Sequence, residues 1–92
     1  MTKEELLKLY RAPFRLDRYH IYIHDANYEM VADFMPVDYH FRPRGYGRFK
    51  QMENGDFIHD EMEKFLNEIV KDCRDEPLRC LAAINQAWGV EQ

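Results

Sequence analysis

Apolar residues recur in two rhythms along this chain, and the switches between them mark out its elements. The first stretch, TKEELLKLY, is helical. Thr2 can cap a helix and Glu5 can reach back to it, the reciprocal arrangement of a capping box. Leu6, Leu7, Leu9 and Tyr10 supply an apolar side, and Pro13 ends the helix. From residue 19 the period drops to two. Tyr19, Ile21 and Ile23 alternate with His20, Tyr22 and His24, as in a half-buried strand. DANY reads as a tight turn with Asn27 in the left-handed region, and EMVADFM as the return strand, closed by Pro36. Residues 36–45, broken by two prolines and Gly45, read as a loop. A third strand is expected over YGRFKQM, residues 46–52.

The helical rhythm then returns. ENGD turns the chain, with Asn54-Gly55 as the turn signal and Asp56 as N-cap. Ile58, Met62, Phe65, Leu66, Ile69, Val70 and Cys73 form one apolar stripe, with Glu61, Glu63, Lys64, Glu68, Lys71 and Asp72 opposite. Asp75, with Pro77 in the first turn, opens a last helix. Leu78, Leu81, Ile84, Asn85 and Trp88 share a face of it, and Gly89 stops it. The order α-β-β-β-α-α predicts an α+β fold: a three-stranded antiparallel sheet with helices packed on one face.

The 92 residues suggest one domain, and 46% hydrophobic with 14% aromatic residues is enough for a core. No apolar run approaches the roughly 20 residues that span a bilayer, and MTKEELLKLY has no signal core, so a cytoplasmic protein is expected. In that compartment Cys73 and Cys80 read as buried, reduced thiols.

The net charge of -4 hides a block pattern. Residues 39–50, YHFRPRGYGRFK, carry Arg42, Arg44, Arg48 and Lys50 and no acid, whereas residues 51–76 carry nine acids against three cations. Cations among Tyr39, Phe41, Tyr46 and Phe49 suit phosphates and unstacked bases, or a protein hot spot. The plain alternative is a solvated loop whose arginines balance Asp33, Asp38 and the acidic helix.

Catalytic and metal chemistry are weakly signalled. His20 and His24 would share a strand face, with His40 or Asp25 as a third ligand, but solvent-side histidines explain the spacing as well. The acids of HDEME, residues 59–63, suit a helix start, and the G-Y-G of Gly45 and Gly47 is no phosphate loop. The chain has no serine, which excludes serine nucleophiles. No enzyme activity and no cofactor are expected. The strand-rich order is similar to that of double-stranded RNA-binding domains, but GDFIHDEMEK is acidic where those domains carry a lysine cluster.

The hairpin IHDANYEMVADF, followed by DEMEKFLNEIV and LAAINQAW, resembles segments of short phage-encoded accessory proteins. Over its full length the chain is most similar to small phage inhibitors of type I-F CRISPR surveillance complexes, the anti-CRISPR proteins. The resemblance implies stoichiometric binding by a monomer in the infected host. The partners would be Cas protein subunits, with contact to the guide RNA backbone, and target-DNA hybridisation or recognition would be blocked. The acidic helix, through Glu61, Glu63 and Glu68, would occupy a groove meant for DNA. The basic segment, through Arg42, Arg44, Tyr46, Arg48 and Lys50, would carry the partner contact. The alternative is an autonomous module that binds RNA or single-stranded DNA through residues 39–50.

Overall fold

The computed structural model describes residues 1–34 and 39–90. Helix α1 (Lys3–Leu7) opens with the expected capping box: the Glu5 N–H donates to the Thr2 hydroxyl, and the Thr2 N–H donates to the Glu5 carboxylate. It ends well before Pro13. Its last carbonyl and that of Tyr10, just beyond it, are met from the other end of the chain, where the Trp88 indole N–H donates to Leu7 and Tyr10 at 2.9 and 3.2 Å.

An antiparallel sheet follows, of strands β1 (Arg15–Leu16), β2 (Tyr22–His24), β3 (Met30–Phe34) and β4 (Phe41–Pro43), ordered β1-β2-β3-β4. The expected three strands are therefore four, and the element order differs. The alternation read from Tyr19 to His24 holds only for its last three residues. His20 has φ 58°, and the Asp17 carboxylate accepts N–H groups from Ile21 and Tyr22 to close the β1–β2 turn. In the β2–β3 turn the left-handed residue is Tyr28, φ 63°, not Asn27. The buried Asp25 carboxylate organises this turn by accepting N–H groups from Asn27, Glu29 and Arg11. The expected strand closure at Pro36 lies outside the described residues.

Residues 41–43, read as loop, are the edge strand. Pro43 is tolerated there because an edge strand leaves one side of its backbone unpaired by the sheet. The exposed edge is covered at Phe41, whose N–H donates to the Arg74 carbonyl and whose carbonyl accepts from the Arg74 guanidinium. The third strand expected over 46–52 is instead a short helix, α2 (Tyr46–Phe49). Tyr46 and Phe49 are three residues apart, a helical spacing, and burial selects Phe49 while leaving Tyr46 exposed.

Helices α3 (Gly55–Ile69) and α4 (Pro77–Ala87) lie where the apolar stripes put them. Asn54, left-handed at φ 59°, precedes α3, so Asp56 falls in the first turn instead of capping it. Met62, Leu66, Val70, Cys73, Cys80 and Ile84 join Ile23, Ala32, Phe34 and Phe41 in one core, while Leu78 faces solvent. Ile23 pairs with Ala32 but His24 pairs with Met30, so Val31 is an extra residue in β3. Such a bulge lets Val31 and Ala32 both be buried despite being neighbours. Asn85, buried on α4, accepts from the Phe14 N–H at 2.7 Å and donates to the Phe14 carbonyl at 3.2 Å. Cys73 and Cys80 are both free and buried, with sulfurs 3.8 Å apart and the Cys80 thiol donating to the Cys73 carbonyl.

Candidate binding surface

Strand pairing sets one row of side chains on the outer sheet face. Tyr22 pairs with Asp33 and Asp33 with Arg42, so all three point the same way, away from the Ile23–Ala32–Pro43 row. His24 lies two residues beyond Tyr22, with ring centroids 6.5 Å apart, and Arg15 pairs with His24. Asp33 sits at the centre, only 5% exposed. Its carboxylate accepts from the Arg44 Nε at 2.8 Å and stands 3.9 Å from the Arg42 Nε. A buried carboxylate needs such partners, because removing one strands a charge away from water. The partners gain as well: the Arg44 guanidinium is held by that hydrogen bond and Arg42 lies within ion-pair range, while each side chain keeps about two fifths of its surface exposed.

The basic segment therefore divides. Arg42 and Arg44 stand on the sheet face. Arg48 turns inward, donating to the Leu9 carbonyl and lying 5.3 Å over the rings of both Tyr10 and Phe49. Such stacking and hydrogen bonding tie α2 to the end of α1. Tyr46 faces α3, its ring 5.1 Å from His59 and edge-on to it. The Tyr46 hydroxyl donates to the Asp56 carboxylate, and that bond, together with the Asp56 charge, raises the Tyr46 pKa above the usual 10. Lys50 is exposed beyond α2.

The acids proposed for α3 have partners on the helical side. Glu61 meets the Met1 amine at 3.0 Å, Glu63 meets His59 at 3.0 Å, and Glu68 meets Lys71 at 2.8 Å. They belong to a different surface from Arg42 and Arg44, because α3 contributes Met62 and Leu66 to the core between them. Of the balance expected for the arginines, Asp33 supplies its part for Arg42 and Arg44, a carbonyl serves Arg48, and Asp38 lies outside the described residues.

Sequence reasoning placed Tyr22 and His24 on the solvent side of a strand but had no means of setting them beside Arg42 and Arg44. That juxtaposition needs the register of β3 against both neighbours. The histidine pair does not form as expected, since His20 lies in a turn outside β2. Among the described residues no group of three or more His, Cys, Asp or Glu side chains is placed to hold a metal ion, and no helix is long and apolar enough to cross a membrane.

No protein-family model, curated protein or solved structure matches the chain, so function has to be read from its own residues.

Proposed function

We propose that this protein acts by binding a partner, without catalysis, and that the outer sheet face is its contact surface. The observation that carries the reading is the Asp33 centre, which hydrogen-bonds Arg44 and sets Arg42 in ion-pair range beside the exposed Tyr22. Tyrosine and arginine are the residues most often found at interface hot spots, and a guanidinium already held in place loses less freedom on binding. Several groups that could serve catalysis are engaged: Asp25 holds three backbone N–H groups, Glu63 pairs with His59, and both thiols are buried.

The partner to test first follows from the resemblance of IHDANYEMVADF and the two following helices to small phage inhibitors. It is a type I-F CRISPR surveillance complex, on which the protein would prevent target-DNA recognition. The test is target-DNA binding by that purified complex with this protein in molar excess. Loss of DNA binding supports the proposal, and normal DNA binding sinks it. Charge reversal at Arg44 would set a new carboxylate against Asp33, so the surface is better probed by Asp33→Asn with Arg44→Gln, which removes the pair together. Inhibition is expected to weaken about tenfold or more, the effect of losing one hot-spot residue.

A further inference from the structure

We infer that the outer sheet face, with the β1–β2 turn at one of its ends, seats a single strand of nucleic acid. This rests on the reading of that face as the contact surface and goes on to name what touches it. In an antiparallel sheet of order β1-β2-β3-β4, the β1–β2 turn and the approach to β4 lie at the same end. That end holds Tyr22 at the start of β2 and Arg42 near the start of β4. The turn adds Arg18 and Tyr19, with the Arg18 guanidinium 4.8 Å over the Tyr19 ring.

Two observations favour a nucleic-acid strand over a protein. The first is charge. In a chain of net charge -4, this face gathers Arg15, Arg42 and Arg44, with Arg18 at its end. Among the described residues the acids beside them are committed: Asp33 is buried and ion-paired, and Asp17 accepts two backbone N–H groups. The second is ring exposure. Tyr19 is 64% exposed and Tyr22 38%, and rings beside cations are the pattern that stacks unpaired bases while binding phosphates. Duplex is disfavoured because its bases are already stacked and offer the tyrosines no free face.

The test is fluorescence polarisation of the full chain with a labelled oligouridine and the corresponding oligodeoxythymidine, each compared with a duplex of equal length. Both single strands are expected to bind at low salt, and more tightly than the duplex. Tyr22→Leu, a change at an exposed position, should weaken binding about fivefold or more without altering the salt slope. Asp33→Asn with Arg44→Gln should flatten that slope by about 0.7, the value for one single-strand phosphate contact. Failure to bind either strand, preference for duplex, or indifference to both variants overturns the inference. Inhibition of the surveillance complex without oligonucleotide binding would keep the proposed function and assign this face to a protein contact. Failure of both would remove the two together.

Discussion

At the residue scale, glycines separate the demands of packing from those of flexibility. A Cβ on Gly55 would fall 2.1 Å from the Phe49 carbonyl oxygen, so the first residue of α3 must be glycine for α2 to pack behind it. The φ that most residues avoid belongs to Asn54 instead. Gly47, in α2, would meet nothing within 4 Å. Gly55→Ala is therefore expected to cost about 1–3 kcal/mol as an overpacking change. Gly47→Ala should gain about 0.5–1 kcal/mol by restricting the unfolded chain. Urea denaturation of both variants checks this, and equal effects would contradict the packing assignment. Arg48 is the other residue whose role the structure decides. Arg48→Ala should lose about 1–2 kcal/mol of stability through its hydrogen bond and ring contacts. Partner affinity, measured on the folded fraction, should stay unchanged, and a selective loss of affinity would return Arg48 to the contact surface.

At the scale of elements, legibility followed length. Helices α3 and α4 each present several turns of apolar stripe, and α1 declares itself by Thr2 and Glu5, so all three could be read from the chain. Strands of two or three residues show no period. Arg15–Leu16 and Phe41–Pro43 exist because partners on β2 and β3 hold them, and that support is invisible in their own residues. The same limit hid the binding surface: Arg42 and Arg44 were visible as cations, but their neighbours Tyr22 and Asp33 come from other strands. The β1–β2 turn also makes a prediction about pH. Burial pushes the Asp17 pKa up, but N–H groups from Tyr22 and Ile21 outweigh it and hold the pKa below the ordinary 3.8. A depressed folded-state pKa means that the stabilisation is present above the unfolded value and is lost as pH falls through the lowered one. Asp17→Asn should therefore make thermal stability less sensitive to pH below about 4. An unchanged acid limb would show that the carboxylate does not hold the turn.

At the scale of the molecule, the two ends of the chain are joined through the core. Asn85 ties α4 to Phe14, and Trp88 reaches the carbonyls at the end of α1, packing 4.8 Å from the Phe14 ring. Asn85→Ala strands two buried backbone groups and should cost about 2–4 kcal/mol, measurable by urea denaturation followed through Trp88 fluorescence. A loss below that range would mean that water replaces the amide. The buried thiols give the molecule a clock of its own opening. Burial pushes the Cys80 pKa up to about 12, with the neighbouring Cys73 adding to the rise, so the closed form holds almost no Cys80 thiolate for a disulfide reagent to meet. Labelling then waits for a transient opening, and its rate is the opening equilibrium multiplied by the rate of a free thiol. Because the two sulfurs share one layer between the end of α3 and α4, both cysteines should label at one rate. The opening free energy from that rate should match the one from urea. Much faster labelling of Cys73 would instead time the fraying of residues 71–76, and the same reagent would then map which part of the molecule lets go first.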